Sequence, residues 1–335
     1  MLLRRFVYAA AASIAAAFLS APAPAHAEAM VINVAALNSN FGPFFAAADK
    51  GYFKDEGLDV ELKVMGGGVA VPALIAGSLI YSSSPSSAMS AILKGAPLTV
   101  ILAAQTRPIY QLWSFDPGVT RFDQLKGHAL AIVTRGGTEE ISMRMLMKAR
   151  GLPSDFVGFS PLGPGMVRLA AIQAGSQKFI LLTRTERGTL SDNGMLAKGR
   201  MLVDIAKEVE LQTGGLVTTA AELSANRDRT KRVVRAFWKG TLYMMAEPEG
   251  MTDIMMKRVP QFSRDVVKKD VEGGIEDIDD DGQLTPEAAK RELAVRGEIL
   301  DIPSDKLPAA DKVYDFSVIS EVIAELNAQG WKPTR

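Results

Sequence analysis

Pro43-Phe44-Phe45-Ala46-Ala47-Ala48-Asp49-Lys50-Gly51-Tyr52-Phe53-Lys54-Asp55-Glu56-Gly57-Leu58-Asp59-Val60 is the stretch whose reading decides the fold. Pro43 is pre-set for the first turn of a helix, small and apolar residues carry it to Lys50, and Gly51 stops it. Leu58 to Val64 then alternates apolar and polar side chains, the period of a strand. Upstream, Val31 to Ala36 is a short apolar run that reads as a buried strand. Downstream, Gly66-Gly67-Gly68 turns into a helix around Val71 to Ala76, and a third strand is expected near Leu79 to Ser82. Pro85 opens a helix to Lys94, closed by Gly95, and Leu98 to Ala104 is a fourth strand. This β-α-β-α-β-α-β order argues for a parallel, doubly wound sheet covered on both faces.

The pattern restarts after Tyr110. Strands are expected at Ala129 to Thr134, Phe156 to Phe159, Phe179 to Thr183 and Met201 to Ile205, with helices at Thr138 to Arg150 and Gly165 to Ala174. Leu216 to Thr219 reads as a strand crossing back. The rest is mostly helical: Arg227 to Met245, Met251 to Arg258, Pro286 to Leu300 and Phe316 to Gln329. Val233, Phe237, Thr241 and Met244 recur at helical spacing, as a core stripe does. The expected organisation is a leader (1–27), the first part of lobe I (28–109), lobe II (110–214), and the rest of lobe I with the C-terminal helices (215–335).

The leader is read from Arg4 and Arg5, an apolar run from Phe6 to Leu19, and Ala25-His26-Ala27, an A-x-A cleavage pattern. A run of about 14 residues is short for a bilayer span. Cleavage near Ala27–Glu28 is expected, with a soluble product in the periplasm.

Composition removes several kinds of chemistry. The 335 residues include no Cys and two His, with Lys+Arg and Asp+Glu balanced at 38 each. That excludes disulfides, thiolate metal sites and a thiol nucleophile, and leaves no basic footprint for nucleic acid. Once the leader is removed His128 is the single histidine, so most general-base chemistry lacks its usual residue. There is no H-E-x-x-H, Walker loop or G-x-G-x-x-G, and Gly158-Phe159-Ser160-Pro161-Leu162 misses the last Gly of a nucleophile elbow. No enzyme is advertised and no cofactor is called for. Two α/β lobes place the carboxyl ends of their strands around one cleft, and a hinge can close it over a solute.

The opening stretch, with its helix, Lys50-Gly51-Tyr52-Phe53 and Glu56-Gly57-Leu58-Asp59-Val60, resembles solute-binding proteins of ABC importers for nitrate, sulfonates, taurine and thiamine pyrimidine precursors. Ala73-Leu74-Ile75-Ala76-Gly77, Lys94-Gly95-Ala96-Pro97-Leu98, Leu125-Lys126-Gly127 and Leu169-Ala170-Ala171-Ile172-Gln173-Ala174-Gly175 match in the same order. The resemblance implies a type II periplasmic-binding fold, two discontinuous α/β lobes with a hinge, a monomer without cofactor, and an ABC permease and ATPase as partners. The sequence departs from the family pattern where an Asp usually follows each A-L-x-x-G helix: it has Ser78-Leu79 and Ser176-Gln177 instead, and Arg184-Thr185 replaces a frequent Glu-Pro. No family ligand is therefore carried over.

Strand ends nominate the ligand-binding residues: Ser39, Asn40, Phe41, Gly67, Ser84, Ser86, Gln105, Arg107, Arg135, Gly137, Thr138 and Arg184. Hydroxyls and amide N–H groups at helix starts suit a carboxylate or sulfonate, and serines there are also ordinary caps. Arg107, Arg135 and Arg184 follow apolar strands, and a guanidinium fork suits oxyanions. Phe41, Phe44, Tyr110 and Trp113 are candidates to stack on a ring. The expected solute is a small organic anion, with an aromatic ring left open. A ligand-sensing co-receptor would use the same cleft, and a pyrimidine-precursor-synthesising relative is disfavoured because the resemblance links that activity to Cys- and His-rich sites. Asp277-Ile278-Asp279-Asp280-Asp281-Gly282-Gln283-Leu284 matches the start of a calcium loop, but its twelfth position is Ala288, so it reads as a solvated acidic turn before the cap Thr285.

Overall fold

The computed structural model describes residues 27–133, 135–163 and 165–333. Apart from Ala27, the expected leader lies outside these residues. The chain begins with β1 (Glu28–Val34), α1 (Gly42–Asp49), α2 (Tyr52–Asp55), β2 (Leu58–Val64), α3 (Gly67–Ile75), β3 (Tyr81–Ser82), α4 (Pro85–Leu93) and β4 (Leu98–Gln105). Pro43 sits in the first turn of α1, and Gly51 adopts φ 80°, a conformation that a side chain disfavours, so the helix ends where the sequence predicts. β1 then pairs with β2 in parallel, from Glu28 opposite Leu58 to Val34 opposite Val64.

A second sheet contains β5 (Gln111–Ser114), β6 (Ala129–Ile132), β7 (Gly158–Pro161), β8 (Phe179–Leu182) and β9 (Arg200–Asp204), with α5 (Thr138–Ala149), α6 (Gly165–Gln173) and α7 (Arg184–Asp192) between its strands. β10 (Gly214–Thr219) returns to the first sheet. After it come α8 (Ala220–Ala225), α9 (Arg227–Ala246), α10 (Pro248–Met256), α11 (Arg264–Glu276), α12 (Pro286–Ile299), α13 (Ala310–Val313) and α14 (Ser317–Ala328). Strand order is β2-β1-β3-β10-β4 in the first lobe and β7-β6-β8-β5-β9 in the second.

The sheets are mixed, not purely parallel. β10 runs antiparallel to β3 and β4, and β5 antiparallel to β8 and β9. The cause is connectivity. Strands of the β-α-β units end at the face between the lobes, whereas β5 and β10 start there, because each receives the chain from the other lobe. Two crossings, 106–110 and 205–213, join the lobes and are bonded to each other. Leu211 N–H donates to the Thr106 carbonyl at 2.7 Å, Ile205 N–H to Tyr110 at 3.1 Å, and Thr213 N–H to Gln105 at 2.9 Å.

Apolar clusters line both faces of each sheet. The stripe Val233, Phe237, Thr241 and Met244 on α9 is buried, as its spacing predicts. Phe237 meets Phe44 of α1 edge to face, with ring centroids 4.6 Å apart. Helix α12 belongs to both lobes: Ala288, Ala289 and Leu293 pack into the first, while Val295 packs into the core of the second. No helix among the described residues is long and apolar enough to cross a membrane.

Besides the short α2, α8 and α13, two longer helices were hidden from sequence. α7 is polar, yet Thr183 caps it and forms a reciprocal box with Glu186. α11 carries Val266, Val267, Asp270 and Val271 on its buried side, but ends in Gly273-Gly274, which reads as a breaker. These glycines instead permit close approach. A Cβ at Gly273 would fall 2.1 Å from Arg184 Nε, and one at Gly274 2.6 Å from Ser39 Oγ.

Candidate functional site between the lobes

The first lobe offers hydroxyls and amides at its strand ends. After β1 a single helical turn, Ser39–Phe41, presents the Ser39 N–H to Asp270 Oδ2 of α11 at 2.8 Å. The Asn40 N–H donates to Asn38 Oδ1 at 3.2 Å, and the Phe41 side chain packs into the core of the first lobe. Ser84, at the N-cap position of α4, accepts from Asn33 Nδ2 at 3.1 Å instead of capping the helix with its side chain, and its own N–H donates to Ser82 Oγ at 3.2 Å. Gly67 lets α3 start directly against α4, since a Cβ there would lie 2.2 Å from Ser87 Oγ. Gln105, at the end of β4, is fully buried, and neither polar atom of its side-chain amide has a hydrogen-bond partner among the described residues.

The second lobe is braced from beneath by a buried triad. Arg168 of α6 contacts Glu139 Oε1 of α5 at 2.8 Å and Glu186 Oε1 of α7 at 2.6 Å, and donates to the Leu181 carbonyl at 3.0 Å. The second oxygen of each Glu takes a loop amide: Val133 N–H reaches Glu139 Oε2 at 2.6 Å, and Thr183 N–H reaches Glu186 Oε2 at 2.8 Å. One arginine thus holds the loops that precede α5 and α7. Burial pushes the Glu139 carboxyl up to about 7, outweighing the pull of Arg168. Burial, then the Glu139 charge, raises the nearby Tyr110 phenol well above its usual range.

The lobes meet where the polar starts of α4 and α5 face each other. Thr138 Oγ1 lies 3.2 Å from Ser86 Oγ, with Gly137 as the N-cap of α5. Arg296 reaches in from α12 and donates to Ser86 Oγ at 2.8 Å, while Glu292 one turn earlier accepts from its Nε at 2.8 Å. Arg296 is 1% exposed, and its Nη1 has no hydrogen-bond partner among the described residues. On the other flank Arg184 grips Asp277 at the end of α11 with both prongs, Nη1–Oδ2 2.6 Å and Nη2–Oδ1 3.0 Å.

The three nominated arginines have different fates. Arg184 is committed to Asp277. Arg135 donates to the Phe159 carbonyl at 2.7 Å and lies 3.7 Å from Glu140. Arg107 stands exposed on the first crossing. Arg107 and Arg184 share the wall of a cavity of about 280 Å³ beside the hinge, where Arg187, Asp204, Lys207 and Glu276 join them. A larger space of about 630 Å³ lies between the hinge, α5 and α12. Among the ring candidates, Phe44 is core, Tyr110 packs against the core of the second lobe, and Trp113 donates to Gln111 Oε1 at 3.2 Å.

The acidic segment after α11 is not a solvated turn. Asp277 is buried on Arg184, Asp279 accepts from the Thr106 hydroxyl, and the Asp279 and Ala103 amides bond to Ala104 and Gly282 along the edge of β4. Among the described residues no group of acidic or His side chains is placed to hold a metal ion. Asp270, Arg187 and Arg296 were not nominated by sequence reasoning, and Asp277 entered it only as the first residue of the acidic segment, not as the partner of Arg184.

Comparison with known proteins agrees with this architecture. A riboflavin-binding protein, RibY, of Chloroflexus aurantiacus is 24% identical over 67% of this chain, and the match spans 64% of the RibY chain. Among solved structures, the alkanesulfonate-binding protein SsuA of Xanthomonas axonopodis pv. citri, bound to MOPS, superposes with a TM-score of 0.69 at 15% identity, covering 88% of this chain and 100% of that one. The periplasmic nitrate-binding protein NrtA of Synechocystis gives 0.69 at 14% identity, covering 90% and 89%. These structural neighbours are binding proteins with the two-lobed periplasmic-binding fold. The family model described as NMT1/THI5 like matches residues 38–251, from the turn after β1 into α11's neighbour α10, and the chain belongs to that family.

Proposed function

We propose that the protein is the solute-capturing subunit of an ABC importer, exported to the periplasm as a monomer, and that it encloses a small organic anion by hinge closure and presents it to a permease and its ATPase. The observation that carries the reading is the meeting of Ser86 and Thr138: two helix starts from opposite lobes, both rich in donors, brought into contact across one seam. Helix N-termini attract negative charge, and the arginines beside the hinge add to it. The names of its structural neighbours, alkanesulfonate- and nitrate-binding proteins, support an anion. RibY is named for riboflavin, which is neutral and larger than a small anion, so it stands in the test as the competing solute.

The test is a thermal-shift and calorimetric panel on residues 28–335, unfolded and refolded to strip carried ligand. The panel holds nitrate, alkanesulfonates, carboxylates, pyrimidines and riboflavin. A solute at about a hundred times its Kd adds about 2.7 kcal/mol of stability. One-to-one binding of one class without turnover is expected, and chemical conversion of a bound solute would contradict the reading.

A further inference from the structure

The cavity beside the hinge holds charges of both signs that form no ion pair among the described residues. Arg187, one turn into α7, is half-buried and its guanidinium makes no hydrogen bond or ion pair among the described residues. Burial first, then the neighbouring Arg184 charge, pulls its pKa below the usual range, even with Asp204, Asp270 and Asp277 in the vicinity. Arg107 and Lys207, both exposed and one on each crossing, line the same space with no carboxylate partner among the described residues. The same cavity is lined by Glu276, at the end of α11, and Asp204, which accepts from Gln111 Nε2 at 3.0 Å; neither forms an ion pair among the described residues. Arg184 and Asp277 cancel each other. The unpaired set is therefore three cations and two carboxylates around one small space.

Simple ions fit that set poorly. A bare anion would sit beside two unneutralised carboxylates, and a bare cation beside two guanidiniums and an ammonium. Removing such groups from water without counter-charges is costly. A molecule bearing both signs satisfies both walls. We propose that the solute of this cleft is a small zwitterion, with its anionic group on Arg187 and Arg107 and its ammonium on Asp204 and Glu276. This deepens the solute-capture reading and rests on it. Since Arg187 and Asp204 belong to the second lobe, Glu276 to a helix of the first, and Arg107 to the hinge, one zwitterion ties all three together, which links its binding to closure.

Calorimetry on the refolded protein with matched probes tests this: β-alanine, propionate and propylamine, and the sulfonate pair taurine and ethanesulfonate. A charge-assisted bond lost to solvent is worth about tenfold in affinity or more. One zwitterion is expected to bind about tenfold tighter than its matched anion and amine. Asp204→Asn should erase that preference while leaving the anion within about twofold, and Arg187→Gln should weaken zwitterion and anion alike, by about tenfold. Equal binding of anion and zwitterion, an undiminished preference in Asp204→Asn, or no zwitterion binding overturns the inference. If zwitterions fail while another solute of the panel binds, capture stands and the zwitterion falls. If no solute of either set binds, capture itself falls.

Discussion

Arg184 on the second lobe and Asp277 on the first, 93 residues apart, form a two-pronged ion pair at 2.6 and 3.0 Å, and Asp277 is 4% exposed. It is a clasp on one flank of the cleft, opposite the Ser86–Thr138–Arg296 contact. Asp277→Asn leaves a largely buried guanidinium without its counter-charge, which costs about 3 kcal/mol. Denaturant unfolding should show that loss, and small-angle scattering should show a more open molecule.

Gly273→Ala tests why α11 carries a glycine there. Helix propensity alone favours Ala by about 1 kcal/mol. The new Cβ would meet Arg184 Nε at 2.1 Å, so the clasp must move. We expect a lower Tm despite the propensity gain. A higher Tm would mean that the fork of Arg184 is free to re-seat.

Ser86→Ala removes one of the two acceptors of Arg296 Nη2 and the partner of the Thr138 hydroxyl. Arg296 Nη2 keeps its contact with Glu292 Oε1 at 2.7 Å, so the loss of the seam bonds is expected to cost about 1 kcal/mol. Ser86→Thr keeps the hydroxyl and should recover part of the stability. Equal stability of Ser86→Ala and the parent protein would show that the contact carries nothing.

Glu139 sets a pH dependence. Its carboxyl is raised from 4.5 to about 7 by burial in the folded state. Below pH 4.5 it is protonated whether folded or not and has no effect on stability. Between 4.5 and 7 the unfolded chain releases the proton while the folded one keeps it, so its contribution falls as pH rises, by about 3 kcal/mol in all. Glu139→Gln, which retains an oxygen for the Val133 amide, should flatten that part of the stability–pH curve. An unchanged slope would place the titration elsewhere.

How much of this was legible depends on whether the cause is local. β1 to β4 and the helices between them follow from apolar runs, Pro43, Pro85 and stopping glycines, all readable within a few residues. The directions of β5 and β10 are set by the chain entering each lobe from the other, which no local pattern records. Gln111–Ser114 was missed as a strand because four residues beside a crossing carry too little alternation. Of the nominated site residues, Ser86 and Thr138 do meet. The arginines at strand ends were readable as arginines, but Arg184's commitment to Asp277 depends on α11, whose final glycines look like a break until a neighbour is seen to fill the space.

The most direct test of capture between two closing lobes is small-angle scattering on the refolded, ligand-stripped protein, before and after adding whichever solute calorimetry shows to bind. Closure over the solute should lower the radius of gyration on addition, saturating with the same Kd as the heat. A bound solute that leaves the scattering profile unchanged, or that binds equally well when Arg187, Ser86 and Thr138 are all replaced, would contradict it.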